Sequence, residues 1–252
     1  MDAPAYCFAR SFEPAGPTML ETDRHYLLYA LKGVLRLEAQ GQRWTLPPAR
    51  AALIRADCPI SVTILSRLES ASVLFAPSFM AAPAQALAVF DMSPLARELV
   101  KECRQWGAGS GALPPYALAL FGALAAVALQ LAAAPTPCVL PMPKSPALRE
   151  ALRLTEAAAG GAPSFTEIAR ESGQSPRALA RRFATEMGMT WREALRRIRI
   201  IRAVELLADG DMQVTEAALA VGYNSLSGFN AAFRDLMDMN PSDYRASLTQ
   251  KP

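Results

Sequence analysis

Histidine is almost missing from this chain: among 252 residues there is one, His25. A transition-metal site of three or four ligands cannot be assembled around a single imidazole, so no metal and no cofactor are expected. Cysteine is scarce too. Cys7, Cys58, Cys103 and Cys138 have no paired spacing, which argues against a zinc module and against a disulfide framework, and leaves buried thiols in a reducing cytosol as the default. Only four of the 26 basic residues are lysines. Met1 to Ser11 holds no apolar run, so no signal peptide is expected. The run Gly107 to Ala112 (GAGSGA) lacks a following GK[ST] and reads as a hinge, not a phosphate cradle. No catalytic constellation stands out, and the expectation is a protein that is not an enzyme.

What is present is globular: 52% hydrophobic and 19% charged residues, in a chain long enough for two domains. From Arg24 to Pro77 the runs RHYLLYALKG, VLRLEAQG, QRWTLPP and AALIRADCPISVTIL are punctuated by Lys32-Gly33, Gln40-Gly41 and Pro47-Pro48. Short strands at this spacing predict a small β-barrel over residues 1–82. Residues 83–134 read as a helical packing or dimerisation segment. Tyr116 to Ala134 carries no charge and is long enough to span a bilayer. Its alanines, Gln130 and the lack of close basic flanks argue against a membrane. Leu120, Leu124, Val127 and Leu131 form a seam that fits either a second copy of the chain or the domain's own core. A proline-rich linker follows over residues 135–146, and its prolines favour extended, semi-rigid backbone.

The C-terminal part contains an internal repeat. Thr166, Glu167, Ala169 and Gly173 recur as Thr215, Glu216, Ala218 and Gly222, and Phe183, Met187 and Met189 recur as Phe233, Met237 and Met239. Each copy reads helix, glycine turn, helix, over residues 164–188 and 213–238. Capping supports this. Ser164 with Glu167 and Thr190 with Glu193 have capping-box spacing, and Ser175-Pro176 and Asn240-Pro241 place a cap before a first-turn proline. In the second copy Phe229 and Phe233, one turn apart, mark the inward face and leave Ser227 and Ala231 outward. Between the copies, Thr190 to Gly210 predicts a helix of about 19 residues and about 28 Å. Recognition helices in successive major grooves stand about 34 Å apart.

Charge is divided along this region. Arg170 to Arg202 holds nine arginines and three glutamates, a net +6, whereas residues 203–252 carry a net −4. Arginines clustered on a helix-turn-helix suit phosphates and base edges. Arg196, Arg197 and Arg199 fit a solvated helix face equally well.

The tandem units, with VGYNSLSGFNAAFR followed by NPSDYR, resemble the C-terminal DNA-binding domain of the AraC/XylS transcription regulators over about residues 146–248. GVLRLEAQGQRWTLPPARAALIRADCP more weakly resembles the cupin-like sensor domain that precedes such domains. The resemblance implies an α+β chain: a cupin-like barrel plus helices, then an all-α domain, 147–252, with two helix-turn-helix units. It implies double-stranded DNA, a small organic effector, a second copy of the chain and RNA polymerase as partners, in the cytoplasm and away from membranes. DNA contact falls on Arg177, Ala180, Arg181 and Arg182, and on Ser225, Ser227, Asn230, Ala231 and Arg234. His25, Tyr29, Trp44 and Arg50 are candidate effector contacts. Asp238 departs from the family's glycine, and aspartate tolerates a left-handed helix end. Two alternatives stay open: a thiol-reactive regulator using Cys58 or Cys103, and a metal-dependent cupin enzyme.

Overall fold

A computed structural model describes residues 3–48, 50–135, 139–208 and 212–249. The chain divides into two compact units, one comprising Met1–Ala39 and Thr45–Thr136, the other Gln40–Trp44 and Pro137–Pro252.

The N-terminal strands are β1 (Ala5–Phe12), β2 (Ala15–Leu20), β3 (His25–Lys32), β4 (Leu35–Ala39), β5 (Gln42–Leu46), β6 (Arg50–Ile54), β7 (Ile60–Ile64), β8 (Leu68–Phe75) and β9 (Leu87–Asp91), all within the first unit except Gln42–Trp44 of β5, which belongs to the second. One antiparallel sheet runs β1-β8-β3-β6-β9, with Tyr26 opposite Ile54 and Arg50 opposite Asp91. A second contains β5-β4-β7-β2. The expected barrel is therefore an open pair of sheets. Strands β1 and β2 lie outside the predicted runs, because β2 is exposed along its whole length and shows no apolar alternation. Strand β9 lies within the segment expected to be helical and extends the first sheet.

Side chains alternate across a strand. Leu27, Ala51, Leu53, Val73, Phe75 and Phe90 thus share one face of the first sheet. There they form a core with α1 (Pro94–Cys103) and α2 (Pro115–Ala132). Helix α2 is long and apolar enough to cross a membrane by composition, but Ala117, Phe121, Leu124, Ala125 and Ala128 are consumed in this core. Two features bring the backbones close. Gly33 has φ +80, and a Cβ there would fall 2.2 Å from the Arg67 carbonyl oxygen. Just before the β3–β8 register shifts between Ala30 and Lys32, buried Ser72 Oγ accepts the Tyr29 amide (3.2 Å) and Ser70 Oγ donates to the Tyr29 carbonyl (3.2 Å). Those hydroxyls give buried backbone groups hydrogen-bond partners.

The second unit starts where a strand was not foreseen: β10 (Val139–Pro141), inside the expected linker, pairs with Gln42–Trp44. Seven helices follow among the described residues: α3 (Pro146–Ala158), α4 (Phe165–Glu171), α5 (Pro176–Met187), α6 (Trp191–Ala208), α7 (Val214–Ala220), α8 (Leu226–Met237) and α9 (Pro241–Thr249). Helices α4 and α5, then α7 and α8, are the two helix-turn-helix units. Gly173 and Gly222 take φ +70 and +88 at their turns. Gly188 and Asp238 end α5 and α8 in the left-handed conformation, at φ 66 and 55, so Asp238 takes up the same helix-ending geometry as the glycine of the first copy. Thr190 and Glu193 form the expected capping box: Glu193 Oε2 accepts the Thr190 amide at 2.6 Å, and Thr190 Oγ1 accepts the Glu193 amide at 3.2 Å. Ser164 makes no side-chain cap; the second copy has a capping box instead between Gln213 and Glu216.

Candidate nucleic-acid interface

Helices α5 and α8 present the two faces that the repeat predicts. On α5, Leu179, Phe183 and Met187 are buried, leaving Arg177, Ala180 and Arg181 exposed. On α8, Phe229, Ala232, Phe233, Leu236 and Met237 are buried, leaving Ser227, Ala231 and Arg234 exposed. The packing is aromatic: the Phe229 and Phe233 ring centroids are 5.6 Å apart, and Phe233 lies 5.7 Å from Tyr244 of α9. The N-caps match. Ser175 Oγ accepts from the Ala178 amide and Ser225 Oγ from the Gly228 amide, each at 3.2 Å. In this register Ser227 and Ala231 of α8 occupy the places of Arg177 and Arg181 of α5. The exposed face of α5 carries charge, and that of α8 carries small groups.

Three predicted contacts are placed differently. Ser225 spends its side-chain oxygen on the cap. Asn230 is half-buried, with its Oδ1 shielded from solvent and without a hydrogen-bond partner among the described residues. Arg182 turns back to Glu186, Nη1 to Oε1 at 3.3 Å. Glu186 also accepts the Ser145 amide (2.7 Å), the Ser145 hydroxyl (2.7 Å) and the Lys144 amide (3.0 Å), which pins α5 to the start of α3. Burial pushes the Glu186 carboxyl up, but the donors at Ser145, Arg182 and Lys144 outweigh it and hold the carboxyl below its ordinary range.

The arginines of α6 resolve toward structure. Arg196 binds Asp235, Arg197 Nη1 donates to the Val139 carbonyl at 2.6 Å, and Arg199 donates to the carbonyls of Ala159 and Gly161. The net +6 in the sequence thus overstates the charge available to a polyanion. The carboxylates on α5 and α8 are Glu186 and Asp235 alone, and both are engaged with arginines from within the unit.

The four candidate effector contacts are buried residues. His25 is buried, and its Nδ1 accepts the Ala56 amide at 3.0 Å. Burial, followed by the Arg55 charge, keeps its pKa below the ordinary 6.5. Tyr29 belongs to the core against α1 and α2. Arg50 is 1% exposed and pairs with Asp91, Nε to Oδ1 at 2.8 Å. It stands next to Ala51, which is opposite Tyr29, so it points to the other face of the sheet. Trp44 is a buried residue of the second unit.

Burial also governs the thiols. It raises Cys7 to about 11 and Cys103 to about 12, and pushes Cys58 upward, whereas a reactive thiol needs a lowered pKa. Cys138 lies outside the described residues. Among the described residues no three His, Cys, Asp or Glu side chains gather at one point. The proposed dimer seam is partly consumed: Leu124 is wholly buried, and Leu120, Val127 and Leu131 pack against the same core. The exposed residues of α2 instead include Tyr116, Leu118, Ala119, Gly122, Ala123, Ala126 and Gln130, with no charge among them.

A family model described as a helix-turn-helix domain matches residues 168–247. The chain is similar to the HTH-type transcriptional regulator NimR of Escherichia coli K12, with 24% identity over 253 residues, covering 98% of this chain and 89% of that protein. It is also similar to the Ornithine utilization regulator of Pseudomonas aeruginosa, with 37% identity over 93 residues. That match covers 37% of this chain and 27% of that protein, so it spans about a quarter of the relative's length. Among solved structures, ToxT of Vibrio cholerae O395 aligns at 14% identity with a TM-score of 0.43, covering 98% of this chain and 99% of that one. Residues 168–247 are therefore a helix-turn-helix domain.

Proposed function

We propose that this chain is a sequence-specific DNA-binding transcription regulator, with α5 and α8 as paired major-groove readers and an N-terminal unit that senses a small organic effector. The observation that carries the reading is the state of the reading faces. Arg177, Ala180 and Arg181, and Ser227, Ala231 and Arg234, are exposed, and the two nearby carboxylates are neutralised from within. A surface cleared of bulk and of free negative charge suits a polyanion, and arginine can bond guanine O6 and N7 bidentately. Footprinting with the full-length protein should protect two major-groove segments about one helical turn apart. A single short protected segment would refute the two-reader model.

The same reading makes the protein a regulator and not an enzyme, acting in the cytoplasm, with RNA polymerase as a further partner. The relatives it resembles are regulators by name. An effector that binds only the folded protein raises its melting temperature, so a thermal-shift screen of small metabolites tests the sensor assignment. A screen in which every hit acts on the isolated C-terminal residues 137–252 as strongly as on the full chain would sink it. A homodimer is inferred from the uncharged, exposed face of α2, since two tethered readers gain effective concentration on paired half-sites.

A further inference from the structure

Two cores of the second unit meet on one helix. The first half of α6, with Trp191, Leu195 and Ile198, packs with α3, α4 and α5. The second half, with Ile200, Val204 and Leu207, packs with α7, α8 and α9. Ile201 touches both cores. Long helices curve gently, so contacts that bridge the two cores away from α6 help to fix the angle between α5 and α8.

Arg199 stands at this junction, between Ile198 of one core and Ile200 of the other. Its Nε donates to the Ala159 carbonyl at 2.9 Å and its Nη2 to the Gly161 carbonyl at 2.7 Å. The guanidinium carbon lies 5.5 Å from the centroid of the Tyr223 ring. One side chain therefore ties the α3–α4 loop of the first half to the α7–α8 turn of the second. Two glycines let these backbones meet. A Cβ on Gly160 would come 2.8 Å from the Ala220 carbonyl oxygen. A Cβ on Gly222 would come 2.7 Å from both the Ala159 carbonyl oxygen and Arg199 Nη2. The fork of donors that would suit a phosphate is turned inward.

We propose that Arg199 is a positioning residue: it sets the separation and angle of α5 and α8, and thereby the spacing between the two DNA segments that the protein accepts. This rests on the reading above that both helices enter DNA. Lysine cannot substitute, because a point charge on a flexible stem does not hold two carbonyls in one plane and stack on a ring.

The test uses the full-length protein and a duplex selected by it from a randomised pool, remade with one or two base pairs added or removed between the protected segments. Wild type should lose about tenfold in affinity for a one-base-pair change, about 1.4 kcal/mol. Arg199→Ala and Arg199→Lys should both flatten that preference to under about threefold, with the salt slope as in wild type. Spacing discrimination as sharp as wild type in both variants overturns the proposal. So does a salt slope that falls by about one in Arg199→Ala and is restored in Arg199→Lys, which would make Arg199 a phosphate contact. If Arg199→Ala does not fold, Gly160→Ala, which forces the same loop off the Ala220 carbonyl, must relax the spacing preference. An unchanged preference there overturns the proposal. Wild-type protein indifferent to spacing would instead refute the two-reader function, and this inference with it.

Discussion

Alanine in place of Arg181 and, separately, of Arg182 separates reading from packing, because the two residues are identical in type and adjacent in sequence. Arg181 is exposed, and its carbonyl accepts from Thr185 Oγ1 at 2.9 Å. Its side chain has no partner among the described residues, so its loss from the free protein should change stability by less than about 0.5 kcal/mol. On DNA the same change should cost about 1–3 kcal/mol and relax preference at one base position. Arg182 behaves oppositely. Its side chain is 41% exposed and pairs with Glu186. A pair this open to solvent stabilises by about 0–1 kcal/mol. Glu186 keeps its three bonds to Ser145 and Lys144 without Arg182, so α5 stays pinned. Arg182→Ala should therefore shift DNA affinity by under about threefold, or about 0.65 kcal/mol. Anisotropy titrations of a selected duplex and its single-base variants, repeated at several salt concentrations, measure both effects. The reasoning fails if Arg181→Ala binds every duplex as tightly as wild type, or if Arg182→Ala is the variant that relaxes base preference.

Two further outcomes follow from the first unit. Leu124→Arg should unfold this unit, because a charge would be forced into a fully buried site at a cost of several kcal/mol. Ala123→Arg, one residue away on the exposed face, should leave the melting temperature unchanged and convert a dimer to a monomer by light scattering; an unchanged mass would exclude that face. His25 is held neutral in the fold, below its ordinary 6.5, by burial and by Arg55, and protonation at Nδ1 would break the bond from the Ala56 amide. Its stabilising contribution is complete above 6.5 and is lost as pH falls from there through the lower folded value. The urea midpoint of wild type should drop over that window, and His25→Asn should remove part of the drop; identical pH profiles would refute the assignment.

The C-terminal architecture is legible in the order of residues alone, because the signals there are local. Caps such as Ser175 and Thr190, the left-handed ends at Gly188 and Asp238, and the Phe229–Phe233 pair each act within a turn or two of helix. Their repetition in two copies made the pairing of the units legible. Ser164 shows the limit of such reasoning, since correct spacing did not produce a side-chain cap. The sheet arrangement was less legible. β2 is an exposed edge with no alternation, and β9 pairs with a strand far away in sequence, so neither leaves a periodic trace. Leu124 sits in a seam with the same one-dimensional pattern for a partner chain as for a domain core, and only packing against the β-sheet decides between them. The interface divides in the same way. The orientation of Arg177, Arg181, Ser227 and Ala231 follows from helical periodicity. The fate of Arg196, Arg197 and Arg199 does not, because their partners Asp235, Val139 and Ala159 lie 39, 58 and 40 residues away. A guanidinium looks the same in sequence whether it faces solvent or a carbonyl. What distinguishes the two is the through-space neighbour, and tertiary folding alone supplies it.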